Sequence, residues 1–125
     1  MDPELARAIS ESREVYITTY DADGKPGTVP VWFDYHNGKF YVSTYPDSLK
    51  VRKIRRNGRA ELSFGGRGGP GVTGSAVIVS DAELIDRIAP VHHERYAGNL
   101  WRSAEHLAQM WKDAREMVLI QLTPD

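Results

Sequence analysis

The stretch Ser43-Thr44-Tyr45-Pro46-Asp47-Ser48-Leu49-Lys50-Val51-Arg52 gathers groups able to hold an anion. A strand ends in two hydroxyls, a proline forces the turn, and Ser48 can cap the helix that follows. The first amides of a helix have no internal acceptor and point outward at the positive end of its dipole, a setting that attracts phosphate. Lys50 in that first turn is mildly unfavourable for the helix itself. That local cost points to a bound anion. Charge density points the same way: Lys50, Arg52, Lys53, Arg55, Arg56 and Arg59 are six of the sixteen basic residues, within ten positions, and only Glu61 follows closely to offset them. Like charges at helical spacing repel by a few tenths of a kcal/mol per pair, so the helix gains from a polyanionic ligand. The plain structural reading is a capped surface helix with solvated cations. Nucleic acid is the other rival, but no helix-turn-helix, zinc finger or aromatic RNA-binding motif lies beside the helix.

Other chemistries find less support. Gly66-Arg67-Gly68-Gly69-Pro70-Gly71 satisfies G-x-G-x-x-G, but a dinucleotide site needs a helix to open there, and the following Val72–Val79 reads as a strand. A mobile, cofactor-covering loop is the expectation that remains. Cysteine is absent, which removes disulfides, thiolate metal sites and cysteine nucleophiles. His36 falls in a turn, His92 and His93 are adjacent on a helix and face different ways, and His106 has no partner at metal-ligand spacing. No metal site is expected. No serine sits in a nucleophile elbow, and no acid or base can be singled out, so the catalytic residue is unknown. Trp101, Trp111 and Tyr96 read as core or interface. Trp32 and Phe33 are placed to cover a barrel face or a flat aromatic ligand.

The elements that must position these groups follow from pattern. Asp2-Pro3-Glu4 caps and opens a helix reaching about Ser12, with Leu5 and Ile9 inward. Val15–Tyr20, Thr28–Tyr35 and Phe40–Thr44, separated by Asp-Gly and Asn-Gly turns, predict a three-strand antiparallel meander. Ser48–Asn57 predicts a short amphipathic helix ending near Gly58. Ala60–Phe64 is a strand, Gly65–Gly71 a loop, and Val72–Leu84 carries the buried strand Ala76–Val79. Helices are expected from Pro90 to Ala97, closed by Gly98, and from Ser103 to Met117, where Leu107, Met110, Trp111 and Ala114 form a stripe. Val118–Leu122 returns as a closing strand. Strands with helices between them predict a mainly β (α+β) small antiparallel barrel with peripheral helices, in one domain over residues 1–125.

Bulk properties agree. A chain of 125 residues with 41% apolar and 26% charged residues is of ordinary domain size and globular composition. A net charge of −1 gives no global field toward nucleic acid or an anionic membrane. Met1-Asp2-Pro3-Glu4 does not resemble a signal peptide, and no apolar run approaches the ~20 residues needed to span a bilayer. The expectation is a soluble, cytoplasmic protein with neither nucleic acid nor membrane as partner.

The order Gly24-Lys25-Pro26, Thr28-Val29-Pro30-Val31-Trp32-Phe33, Phe40-Tyr41-Val42-Ser43-Thr44, Ser48-Leu49-Lys50 and Ile54-Arg55-Arg56-Asn57-Gly58-Arg59-Ala60 resembles the pyridoxamine 5′-phosphate oxidase-like superfamily of FMN-binding split barrels. The likeness is nearest to its deazaflavin- or FMN-dependent oxidoreductases. It spans roughly residues 10 to 122, most specifically Gly24 to Ala60, and Val72-Thr73-Gly74-Ser75-Ala76 also fits. The resemblance implies an antiparallel split β-barrel forming a homodimer with two cofactor sites between subunits. It implies that Gly27, Thr28, Val29, Pro30, Val31 and Trp32 lie along the ring system, largely through backbone. Ser43 and Thr44 would end the next strand beside the cofactor, and Ser48, Leu49 and Lys50 would hold its phosphate. The implied cofactor is FMN or the deazaflavin coenzyme F-420, and the implied activity is two-electron transfer to an unidentified small-molecule substrate. Six basic residues suit the deazaflavin's phosphodiester and carboxylate tail slightly better, with Arg52 among its partners. Two departures argue against vitamin B6 phosphate as substrate. Leu49 stands where that family's oxidases carry arginine, and the chain ends at Asp125 without their substrate-binding extension. The alternative is a non-catalytic flavin- or haem-binding protein on the same barrel.

Overall fold

The computed structural model describes residues 1–96 and 103–125. Among them are four helices, α1 (Pro3–Glu11), α2 (Leu49–Asn57), α3 (Ala82–Arg95) and α4 (Ala104–Asp113). Seven strands complete the fold: β1 (Glu14–Tyr20), β2 (Pro26–Trp32), β3 (Asp34–His36), β4 (Lys39–Thr44), β5 (Arg59–Phe64), β6 (Gly71–Ile78) and β7 (Val118–Pro124). They form one antiparallel sheet in the order β2-β1-β5-β6-β7-β4-β3. The sheet curls as an α+β split barrel.

The expected meander is corrected. Thr28–Tyr35 is not one strand between two others: it breaks at Phe33, so that β2 pairs with β1 and β3 pairs with β4. Both edges of the sheet therefore come from one continuous segment. A backbone at such a break must find partners outside a ladder. Here the Tyr96 hydroxyl supplies them, accepting from the Phe33 amide at 3.0 Å and lying 2.7 Å from the Phe33 and Arg13 carbonyls, either of which can accept its single proton. The Phe33 side chain turns inward and is fully buried.

Three other boundaries move. The buried strand expected at Ala76–Val79 within Val72–Leu84 begins earlier, at Gly71, and ends at Ile78, and Asp81 then caps α3 by accepting from the Glu83 amide. It is half-exposed, with Ala76 buried and Val77 open to solvent. The helix expected to start at Pro90 starts at Ala82 and carries Pro90 inside it; its predicted end at Ala97 and Gly98, like Trp101, lies outside the described residues. The helix expected to reach Met117 ends at Asp113, where Ala114 adopts φ 56°, so Ala114 is exposed and Ala108 joins Leu107 and Trp111 in the packed stripe. The Asn37-Gly38 turn has φ of 50° and 77°, the left-handed pair that a tight hairpin needs.

Apolar side chains pack in two groups. Val15, Ile17, Phe33, Phe40, Val42, Leu62 and Ile120 fill the barrel, closed by Val51 and Ile54 of α2. Tyr41 and Leu119, on the opposite sheet face, pack against Ile85, Ile88, Leu107 and Trp111 of α3 and α4. The outer face of β3, β4 and β7 is thus covered by helices.

Candidate functional site

A cleft of about 320 Å³ lies beside the end of β2, just before the break that leads into β3. Pro30, Val31 and Trp32 form one wall. The end of β4, Ser43 and Thr44, forms the other and continues into Tyr45, while Lys50 enters from the first turn of α2. Glu14, His92 and Met117 complete the lining.

Each part is held by a traceable cause. Ser48 caps α2 as expected, its Oγ accepting from the Val51 amide at 3.4 Å, and its carbonyl accepts from the Arg52 amide at 3.2 Å. Of the four amides without an intrahelical acceptor, those of Leu49 and Lys50 remain. The helix closes on Gly58, whose φ of 73° favours glycine and whose amide donates to the Ile54 carbonyl. Ser43 accepts a hydrogen bond from the Trp111 indole at 2.9 Å, which ties β4 to α4. Trp32 stacks on Tyr96 with ring centroids 4.5 Å apart and planes 4° from parallel. It is therefore an aromatic wall held in one orientation.

Lys50 is the electrostatic centre of the cleft. Burial pushes its ammonium below the ordinary lysine value. Among the described residues, ion pairs join Arg59 to Asp125 and Lys112 to Asp86, and His92 lies against Asp34; Lys50 is in none of these contacts. A partly desolvated ammonium without a carboxylate partner beside two free helix amides is a setting in which an anion is favoured.

The structure brings Pro30, Val31, Trp32, Ser43, Thr44 and Lys50 around one cleft. Gly27, Thr28, Val29, Ser48, Leu49 and Arg52 do not line it. Gly27 lies under Lys53, whose Nζ would stand 2.7 Å from any added Cβ. Thr28 is hydrogen-bonded to Thr18 across the hairpin at 2.8 Å, and Val29 and Leu49 are exposed. The glycine loop does not cover the cleft. It sits against α1, with Asp2 and Leu5 beside Gly68–Gly71 and the Arg67 guanidinium over the Tyr16 ring at 5.2 Å.

Sequence reasoning missed one buried polar pair beside the cleft. His92 Nδ1 and Asp34 Oδ2 lie 2.5 Å apart, both side chains buried. The break at Phe33 turns Asp34 to the outer sheet face, where α3 brings His92. Residues 58 positions apart carry no spacing signal, and only an aspartate within an apolar strand hinted at a buried partner. No group of three or more metal-binding side chains occurs among the described residues.

The family model for pyridoxamine 5′-phosphate oxidase matches residues 1–125. Among curated proteins, none matches the chain significantly. Solved structures similar to it include the haem-storage protein of Vibrio cholerae, at 18% identity and TM-score 0.77, covering 99% of this chain and 89% of that one. A conserved hypothetical protein of Mycobacterium tuberculosis is 21% identical with TM-score 0.76, covering 99% and 81%. A protein described as an F420 reductase is 19% identical with TM-score 0.71, covering 100% and 96%. At these identities the likeness shows the fold.

Proposed function

Because the chain belongs to the pyridoxamine 5′-phosphate oxidase family, we propose that it is a flavin-type oxidoreductase carrying out two-electron transfer to a small-molecule substrate. The observation that carries this reading is Lys50, a partly desolvated cation in no ion pair among the described residues, set in one cleft with the oriented Trp32 wall. The residues present fit a phosphorylated ring cofactor. Lys50 with the Leu49 and Lys50 amides would take the phosphate, and Pro30, Val31 and Trp32 would lie along the ring. Ser43 and Thr44 would border it. The bound ring supplies the hydride chemistry; the protein supplies orientation, the phosphate grip and a partly apolar wall. We favour the deazaflavin coenzyme over FMN, since Arg52 and Lys53 follow Lys50 on the same helix and offer partners to a carboxylate tail.

The second wall is proposed to come from another copy of this chain. Tyr45 and Leu49, each 67% exposed, and Val29 present apolar surface near the cleft mouth, and an open groove of this size needs further cover to bury a ring cofactor. Titrating FMN and the deazaflavin coenzyme separately into purified protein, with light scattering on each sample, tests both parts. The expected result is saturable binding by a particle of about twice the 14.0 kDa chain mass. Failure of both ligands to bind removes the flavin reading, and a monomer with and without ligand removes the shared wall. Binding without reduction or turnover would favour the non-catalytic carrier.

A further inference from the structure

Two side chains of opposite formal charge line the cleft, Lys50 from α2 and Glu14 from the first position of β1. They are not paired with each other, and neither is in an ion pair with any other described residue. Glu14 is the cross-strand partner of Trp32, so the two side chains stand on the same face of the sheet. The fold gives Glu14 no other task. It is exposed, and the N-caps of the four described helices are Asp2, Ser48, Asp81 and Ser103, so it offsets no helix dipole. Arg13 and Arg95 flank this end of β1 but do not line the cleft. Arg13 donates to the Arg95 carbonyl at 3.2 Å, and Arg95 donates to the Tyr96 hydroxyl at 3.1 Å and to the Ser12 carbonyl.

The charge of the cleft therefore depends on what Lys50 holds. In the ligand-free chain Lys50 and Glu14 offset each other. An FMN phosphate brings about two negative charges, and the deazaflavin brings a phosphodiester with carboxylates. Either one more than neutralises Lys50 and leaves the Glu14 carboxylate without a counter-ion. His92 does not supply one, since Asp34 lies against it. A cleft left with one sign of charge concentrates ligands of the other sign and repels its own. Resting on the flavin reading above, we propose that Glu14 is the residue that selects the substrate, and that the substrate is a small organic cation. Its positive charge lies on the β1 side of the cleft, beside Trp32. Anionic compounds compete for Lys50 in the ligand-free protein and are disfavoured once the cofactor phosphate is in place.

Probes of similar size and different charge test this: phenyltrimethylammonium, benzoate and neutral benzyl alcohol, each titrated by NMR into the protein saturated with FMN. The cation is expected to bind more tightly than benzoate. Glu14→Gln should weaken the cation by about two- to fivefold, the range of a partly exposed ion pair, and leave benzyl alcohol unchanged. Glutamine matches glutamate in shape and the position is exposed, so the variant keeps the fold. Glu14→Lys should reverse the preference. Equal binding of the cation and benzoate to the loaded protein overturns the proposal, as does a cation affinity that Glu14→Gln leaves in place. The cation titration is repeated without FMN on wild type and Glu14→Gln. Should FMN not bind at all, the flavin reading falls, and this second series decides Glu14 alone. The same loss of cation affinity there keeps the carboxylate as the cation contact, and no loss removes it.

Discussion

The two ends of α2 carry similar charge and do different things. At its start, Lys50 points into a cleft bounded by Trp32, Thr44 and His92, and the amides of Leu49 and Lys50 add the positive end of the dipole. At its end, Arg55 and Arg56 border a groove with Asn57, Gly58 and the exposed Val77 of β6. Both arginines there complement the negative end of the helix dipole, worth ~0.3–1 kcal/mol in such positions, and need no ligand to explain them. Lys50 works against the same dipole and sits partly out of water. The helix's basic residues thus fall into two populations, Lys50 beside the cleft and Arg55 and Arg56 complementing the dipole. Position relative to the helix axis, not charge count, separates them.

The largest expected effect tests that division directly. Lys50→Ala should weaken flavin binding by about ten- to a hundredfold, the loss of a charge-assisted contact costing on the order of 1.5–3 kcal/mol. Arg56→Ala should leave affinity within about twofold, since it faces the other groove. Calorimetric titration of FMN into both variants is the measurement. Equal losses would mean only diffuse attraction, and the comparison between the two ends would collapse.

Much of this contrast was legible in the sequence, because it depends on local chemistry. Ser48, Lys50 and Gly58 mark the start, first turn and end of α2, and the structure keeps all three in those roles. The two turns, Asp21–Gly24 and Asn37-Gly38, were equally local. What could not be read was long-range. An apolar run from Thr28 to Tyr35 looks like one strand, and the hydroxyl of Tyr96, 63 residues from Phe33, satisfies the backbone at the break. That break lies beside the cleft and brings Asp34 to His92, one of the cleft's lining residues, so the unread part of the fold adjoins the site. Pro90 misled in the opposite way. Proline usually marks a helix start, but the cap at Asp81 and the buried Ile85, Ile88 and Ala89 fix α3 well before it.

A middle-sized effect would sharpen the boundary between the two populations. If the deazaflavin's carboxylate tail runs from the phosphate along α2, it meets Arg52 before Arg55. Arg52→Ala should then lower low-salt deazaflavin affinity by about two- to fivefold, within the range of exposed ion pairs, and flatten its salt dependence. Arg55→Ala should do neither, and FMN should respond weakly to both. Fluorescence titrations from low to high salt on the two single variants provide the readout. If Arg55→Ala flattens the deazaflavin curve as much as Arg52→Ala, the C-terminal half of the helix belongs to the ligand site as well.

The smallest effect concerns the ligand-free fold, and it has opposite signs at the two ends. Burial lowers the proton affinity of Lys50 below that of an unfolded lysine. At neutral pH both states carry the charge, and the folded state alone bears its desolvation. As pH rises through the depressed value toward about pH 10.4, the unfolded chain binds more protons than the native one, so this group's penalty fades and its contribution to stability improves. Lys50→Met keeps chain length and helix propensity and removes the charge. It should raise the melting temperature at neutral pH by no more than a few degrees, because the group is only partly buried. The gain should shrink as pH climbs toward the unfolded lysine value, where the wild-type side chain is neutral in both states. Arg56→Met removes a cation that favours the helix C-terminus, so it should lower the melting temperature slightly and show no such pH trend. Thermal melts of the three proteins from neutral to alkaline pH decide the matter. If Lys50→Met destabilises the neutral protein as Arg56→Met does, the lysine is a structural surface charge, and its place in the cleft no longer argues for a bound anion.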